Sequence, residues 1–293
     1  MADTVGVIGV GAMGLGILRS AVRGGFDGIA RDLDPAREQI ARASGARIAA
    51  SAAELGAQAD VIFVVVIDSQ QIEQVLSGPH GLLAAVGPGK VVLFDSTISP
   101  TDAANFAARL EQTGAMAIDA PISGGPARAE AGTMSMMLAG DGKALDRAAQ
   151  VLKSVSDKRF VVGQRHGDAM RAKLVNNLMA GINLMAGAEA IALAERLGLD
   201  PKALFDLVSV SSGQSWMFED RMARALAGDY APTAAAPVLT KDLRLVNEAA
   251  AELGIKLPLG ALAHQQLQAT CDSGWHQEDD AAVLKLYRQL FAN

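Results

Sequence analysis

The sequence holds a single cysteine, Cys271, among 293 residues. No intrachain disulfide is possible, so the chain suits a reducing compartment. Cys271 itself reads as a small buried or half-buried side chain rather than a nucleophile. Positive charge is also in short supply. Lys and Arg total 26 against 32 Asp and Glu, a formal charge of −6. That balance gives no electrostatic case for nucleic acid or an anionic membrane as partner. The first residues, Met1 to Val7, lack a basic segment before an apolar one, so they do not read as a signal peptide. The strongest apolar run of the first half, Val61 to Ile67, is clamped between Asp60 and Asp68. It is far too short to cross a bilayer and reads as a buried strand. A cytoplasmic location is expected. The four histidines, His80, His166, His264 and His276, show no ligand spacing, so no metal is implied. His276 reads as a surface residue. There is no internal repeat and no low-complexity tract.

What is present is a globular composition, 50% hydrophobic and 20% charged. The length suits one large domain or two ordinary ones. The first half alternates short apolar runs with amphipathic stretches. Strands are predicted at Thr4–Val10, Gly28–Asp32, Val61–Ile67, Val91–Asp95 and Ala115–Ala120, with helices such as Gly14–Gly24, Ala36–Ala43 and Ile72–Leu76 between them. Runs that are apolar on nearly every residue fit a parallel sheet covered on both faces. Met134–Leu138 and Arg159–Val162 read as two further strands around a helix over Lys143–Ser154. Near Gly163 the texture changes. Met170 to Leu197 has no proline and only two glycines, Gly181 and Gly187. It predicts one helix of about 28 residues, roughly 40 Å long. Such a helix is apolar on most faces and should be buried against a second domain or a partner subunit. Pro201, Pro232, Pro237 and Pro258 break the remainder into shorter helices. The expectation is an α/β fold: a doubly wound sheet domain over 1–163, then an all-helical domain over 164–293 joined by the long helix.

Gly9-Val10-Gly11-Ala12-Met13-Gly14 is a G-x-G-x-x-G sequence. Alone it can be any glycine-rich turn. Here it follows a predicted strand and opens a predicted helix, the context that dinucleotide binding requires. Gly9 permits the tight turn, Gly11 lets the backbone approach a pyrophosphate, and Gly14 lets helix and strand pack closely. The first amides of the helix, Ala12, Met13 and Gly14, then face the phosphates. Asp32 ends the second strand, where a carboxylate accepts from a ribose 2′-hydroxyl and repels a 2′-phosphate. NAD is therefore favoured over NADP. NADP stays open because Arg31 and Arg37 lie near. Val65, Val66 and Ile67 should lie beneath the adenosine half.

The next feature is Gly167-x-x-x-x-x-Lys173-x-x-Asn176-Asn177. Lys173 and Asn177 are four apart and share a helical face. A lysine there can simply snorkel to solvent. Against that, its helix begins where the first domain ends, and ligands of open α/β sheets bind outside the carboxyl ends of the strands. Two more segments belong at that edge: Asp95-Ser96-Thr97, and Asp119-Ala120-Pro121-Ile122-Ser123-Gly124-Gly125-Pro126. Ser123 with the amides of Gly124 and Gly125 would cradle a carboxylate. Standing alone, that segment would read as a Pro/Gly turn.

These motifs, together with Lys241-Asp242, resemble the β-hydroxyacid dehydrogenase family, the group of 3-hydroxyisobutyrate dehydrogenase and tartronate semialdehyde reductase. The resemblance covers nearly the whole chain, and the four motifs in this order are highly specific. It implies a Rossmann-like domain followed by an all-helical one, often assembled as a homodimer or homotetramer, acting on a small hydroxy-acid substrate. Position by position, Lys173 matches the family's catalytic lysine and Asn177 its substrate-orienting partner. Ser123, Gly124 and Gly125 match the substrate-carboxylate loop. Thr97 matches the residue beside the nicotinamide ring, and Lys241 the second-domain lysine that reaches toward the cofactor. Ile67 departs from the family's usual proline and Ser20 from its usual asparagine; both lie outside the catalytic constellation. Ser215–Met222, Gly228–Pro232 and Glu278–Val283 are similar to the family's L-threonate dehydrogenase branch, which suggests a four-carbon sugar acid and makes Trp216 a substrate-binding candidate. Trp216 and Phe218 read equally well as core anchors.

The resemblance implies a mechanism in which Lys173 takes the hydroxyl proton while hydride leaves the carbon. A base of this kind needs a lowered pKa, which partial burial supplies. Competing readings are a semialdehyde reductase of the tartronate or succinic type, a 3-hydroxyisobutyrate dehydrogenase, and a non-catalytic nucleotide-binding protein. The last has no reason to carry Lys173, Asn177 and the Ser123 loop together. Imine reductases share the implied fold but generally lack the lysine.

Overall fold

The computed structural model describes residues 3–292. They form two compact units that meet in sequence between Lys173 and Leu174. The first unit runs β1 (Thr4–Ile8), α1 (Ala12–Arg23), β2 (Asp27–Arg31), α2 (Pro35–Ala43), β3 (Arg47–Ile48), α3 (Ala52–Gln58), β4 (Val61–Val64), α4 (Ser69–Ser77), β5 (Val91–Phe94), α5 (Pro100–Glu111), β6 (Met116–Asp119), β7 (Ile122–Ser123), α6 (Gly125–Ala131), β8 (Ser135–Ala139), α7 (Gly142–Val155) and β9 (Lys158–Gly163). It closes with the first turns of α8 (Asp168–Arg196). The sheet order is β3-β2-β1-β4-β5-β6-β8-β7, with β9 paired to β8.

The first six strands of that order are mutually parallel. Strand β8 runs antiparallel to β6 and β7 and parallel to β9. The sheet is thus parallel from β3 to β6 and mixed beyond β6. The central strands β4 and β5 are buried at every residue. Within those runs the period of two is still visible. Val5, Val7, Phe63 and Leu93 face the layer of α1 and α7, where Ile17, Leu18, Val151 and Leu152 receive them. Ile62, Val64, Val92 and Phe94 face the layer of α3, α4 and α5, where Leu55, Ile72, Leu76 and Phe106 receive them. Each face buries its own set, which is why the strands read as continuous apolar runs. The five strands expected up to Ala120 run one to three residues too far at their carboxyl ends, whereas Met134–Leu138 and Arg159–Val162 stop one residue short of the observed ends. Strand β9 lies at the edge, with Phe160, Val161 and Val162 exposed.

Helix α8 begins in the first unit, where Met170 joins the core under α5. The unit therefore extends ten residues past Gly163. The second unit carries the rest of α8, then α9 (Pro201–Ser209), a π-helical turn (Phe218–Met222) leading into α10 (Ala223–Leu226), α11 (Ala236–Glu252), α12 (Pro258–Thr270), a second π-turn (Cys271–Trp275) and α13 (Val283–Ala292). Its core gathers Leu184, Ala188 and Ile191 of α8 with Phe218, Met222, Leu243, Leu267 and Leu284. By length and composition alone α8 qualifies as a membrane span. Packing accounts for its apolar residues at Met170, Leu184, Ala188 and Ile191, while Val175, Met179 and Leu193 stay exposed. A buried ionic cluster ties the π-turn to the segment before α13. Arg221 Nε lies 2.6 Å from Asp280 and 3.4 Å from Asp279, and Arg224 lies 2.8 Å from Asp279. Burial pushes the Asp280 carboxyl up to about 7; Asp279 adds to the rise and Arg221 opposes it.

Candidate active site

The expected residues of the first unit gather at the carboxyl ends of its parallel strands. Gly9 follows β1 and adopts a φ of +89°, open to glycine alone. A methyl group on Gly14 would stand on the Gly9 carbonyl oxygen, and one on Gly9 would stand on the Val65 carbonyl oxygen. The turn is therefore closed by backbone against backbone. Gly11 is different: a methyl there would meet only Arg37 Nη1, at 3.6 Å. Its open face is room for a ligand. Gly11 caps α1 without a side-chain hydrogen bond, which leaves the amides of Ala12, Met13 and Gly14 for an anion. The turn and helix start thus fit a pyrophosphate.

Asp32 follows β2, and its side chain is 8% exposed. Its Oδ2 accepts from the Val10 amide at 2.7 Å and its Oδ1 from the Asp34 amide at 2.9 Å. Asp32 thus braces the glycine turn. Arg31 is held by Glu38 at 2.6 Å. Arg37 stands 4.0 Å from Asp32 and about half exposed. Val65 and Val66 follow β4, against Gly9. Ser96 Oγ donates to the Val66 carbonyl and accepts from its amide, which sets Thr97 beside that strand end. Asp95 is a group the sequence did not single out for a role. It is 3% exposed, and neither carboxylate oxygen has a hydrogen-bond partner. Burial drives its carboxyl well above the usual range.

The Ser123 segment is more ordered than a Pro/Gly turn. Ile122 and Ser123 pair with Met136 and Ser135 as β7. Gly124 and Gly125 follow with φ of +127° and +76°, and α6 starts at Gly125. The same strand end carries an interaction that no sequence spacing announces. Asp119, the last residue of β6, is fully buried. It accepts the Gly167 amide just before α8, and its other oxygen faces His166 Nδ1 at 3.3 Å. Lys173 lies six residues beyond Gly167, about 9 Å along the helix axis. It is 8% exposed.

In the second unit, Asn177 is also buried, and its Nδ2 donates to Asp242 Oδ2 at 2.6 Å. Lys241 Nζ pairs with the other oxygen of Asp242 at 2.8 Å, too obliquely for a hydrogen bond. Asp242 thus holds both expected residues, a role for which Lys241-Asp242 was only a motif in the sequence. Phe218 is a core anchor stacked on Phe205 with centroids 5.4 Å apart. Trp216 is 38% exposed and has the Arg221 guanidinium 5.6 Å from its ring centroid. His276 is exposed and Cys271 half-buried, with Cys271 Sγ 3.6 Å from the Thr240 hydroxyl.

Residues 4–163 match the NAD-binding domain of 6-phosphogluconate dehydrogenase. Residues 167–287 match the NAD-binding domain of NADP-dependent 3-hydroxyisobutyrate dehydrogenase. The chain belongs to the β-hydroxyacid dehydrogenase family. An L-threonate dehydrogenase of Cupriavidus necator is 42% identical over 98% of this chain and 97% of its own. One of Escherichia coli O6:H1 is 37% identical over 97% of this chain and 94% of its own. The crystal structure of a 3-hydroxyisobutyrate dehydrogenase from Salmonella typhimurium superposes with a TM-score of 0.91, at 36% identity, covering 97% of this chain and 99% of that one. As a β-hydroxyacid dehydrogenase, this protein is an NAD(P)-dependent oxidoreductase acting on the CH–OH group of a small hydroxy acid.

Proposed function

We propose that this enzyme oxidises L-threonate or a closely related four-carbon sugar acid, with NAD as cofactor and Lys173 as general acid/base. The observation that carries the catalytic assignment is a buried lysine on a helix that starts at the carboxyl end of β6. There Asp119 receives the Gly167 amide, and the Ser123 loop leaves the same strand end. The substrate class is supported by the two relatives named L-threonate dehydrogenase. A semialdehyde reductase or 3-hydroxyisobutyrate dehydrogenase activity is the alternative within the family.

Gly9, Gly11, Ala12, Met13, Gly14, Asp32, Val65, Val66 and Thr97 hold the dinucleotide, with a further contact from Lys241. When bound, the nicotinamide supplies the hydride acceptor. Ser123 and the amides of Gly124 and Gly125 hold the substrate carboxylate and so align the carbinol carbon. Lys173 Nζ accepts the hydroxyl proton during oxidation and returns it during reduction. Asn177, fixed by Asp242, orients a substrate oxygen or the lysine. Trp216 borders the substrate. Asp32 favours NAD by repelling a 2′-phosphate. The enzyme is cytoplasmic and assembles as a homodimer or homotetramer. The exposed Val175 and Met179, one turn apart on α8, support the assembly.

Lys173→Ala is expected to lose nearly all turnover of L-threonate while binding NAD as the parent does. Wild-type turnover in that variant would remove the lysine assignment. A panel of L-threonate, 3-hydroxyisobutyrate, glycerate and tartronate semialdehyde separates the substrate readings by kcat/KM.

A further inference from the structure

His166 sits between two carboxylates. Its Nδ1 faces Asp119 Oδ1 at 3.3 Å and its Nε2 faces Glu111 Oε1 at 3.0 Å. Glu111 ends α5 and Asp119 ends β6. A carboxylate only accepts, and a neutral imidazole has one N–H. Both contacts can therefore be hydrogen bonds only when both ring nitrogens carry protons, that is, when His166 is the imidazolium. Asp119 is fully buried, and His166 keeps 17% of its side chain exposed. The same Asp119 carboxylate accepts the Gly167 amide. Gly167 has a φ of +93°, and a methyl there would lie 2.8 Å from the Pro100 carbonyl oxygen at the start of α5. Met170, one turn on, is in the core. The N-terminal end of α8 is thus fastened to β6 and α5 at the residue before the helix that carries Lys173.

We propose that His166 is a positioning residue for catalysis: its charged bridge between Asp119 and Glu111 fixes the start of α8 and thereby the placement of Lys173. This rests on the reading of Lys173 as the proton-transfer residue. The charged groups facing His166 are Asp119 from β6 and Glu111 from α5. On its own segment, Arg165 and Arg171 both pair with Asp168. The hydrogen bond to Asp119 raises the His166 pKa most, burial opposes it, and Glu111 raises it further. A raised folded-state value gives the sign. The bridge contributes fully below about 6.5, the ordinary histidine value, and is lost as pH rises through the higher folded value. Turnover therefore carries an alkaline loss that belongs to His166 and not to Lys173.

The test uses the full-length enzyme with NAD and whichever of L-threonate, 3-hydroxyisobutyrate or glycerate it oxidises fastest. His166→Gln keeps a donor but no charge. It is expected to lower kcat roughly 10- to 100-fold, the scale of a misplaced catalytic group, and to leave the KM for NAD unchanged. The alkaline ionisation should vanish from its kcat profile. His166→Arg, charged at every pH, should recover turnover above the wild-type midpoint. Amide exchange over residues 166–174 should quicken in wild type through the same pH range, and should be pH-independent in both variants after correction for intrinsic exchange. A wild-type kcat profile in His166→Gln, or exchange in this segment indifferent to His166, overturns the proposal. Full activity in Lys173→Ala overturns the lysine reading instead, and leaves the exchange result to judge whether His166 fastens the helix.

Discussion

The contact between Asn177 and Asp242 lends itself to a double-mutant cycle. The pair is buried on both sides, 5% and 4% exposed, with a 2.6 Å bond from the amide to a carboxylate oxygen. A hydrogen bond to a charged group contributes about 1.5–3 kcal/mol, and a buried group left unpaired costs about 1–3 kcal/mol. Asp242→Ala strands the Asn177 amide and also removes the Lys241 pair, which is partly solvated and adds about 0.5–1 kcal/mol. The expected cost is about 3 kcal/mol. Asn177→Ala strands Asp242 Oδ2 but leaves the Lys241 pair, so about 2.5 kcal/mol is expected. The double variant has neither stranded group and should lose only about 3.5 kcal/mol, giving a coupling energy near 2 kcal/mol. Urea unfolding of the four proteins, followed by tryptophan fluorescence and circular dichroism, measures each value. Single changes that add to within about 0.5 kcal/mol would show that the two side chains do not interact, and the account of Asp242 as the residue that orients Asn177 would be lost.

Gly11→Ala and Gly14→Ala should separate binding from folding. The first adds a methyl in open space at the N-cap of α1, so stability falls by no more than about 1 kcal/mol while NADH affinity falls about tenfold or more, read by NADH fluorescence. The second forces the Gly9 carbonyl aside and should cost about 1–3 kcal/mol even without cofactor. Asp95 predicts a pH dependence of stability. Its folded-state pKa is raised, so the folded protein holds a proton that the unfolded chain releases, and stability declines as pH rises above about 4 toward the folded value. Asp95→Asn should flatten that decline and gain about 1–2 kcal/mol at neutral pH, measured as melting temperature against pH; parallel curves for both proteins would contradict it.

Much of the first unit was legible because its strands are short apolar runs punctuated by charged and glycine-rich turns. Two helices not named from the sequence, α3 and α5, carried a readable start. Ser51 accepts from the Glu54 amide and Ser99 from the Asp102 amide, and both show as a serine three residues before an acid. Strand β7 was hidden for another reason: Ile122 and Ser123 become a strand only because β8 turns back antiparallel beside them. Strand β3 is two residues long and has no period to detect. At the site, the glycine turn and the Lys173 and Asn177 pair are local patterns, four to six residues in extent. The contacts that brace them span the chain. Asp119 meets Gly167 across 48 residues, and Asn177 meets Asp242 across 65. Such pairings have no spacing signature, since loops of any length can close them.

The division of the chain inside α8 has a practical consequence for exchanging parts between relatives. A cut at Gly163, the last residue of β9, looks safe from sequence because the segment between it and α8 reads as a loop. It would strip the first unit of Met170 from its core and of the Gly167 amide from the Asp119 carboxylate. A chimaera that imports a foreign second half should therefore splice within the helix, after Lys173, and keep the helical phase there rather than loop length. Swaps made at the loop import a foreign first turn of α8 into a core shaped for this one.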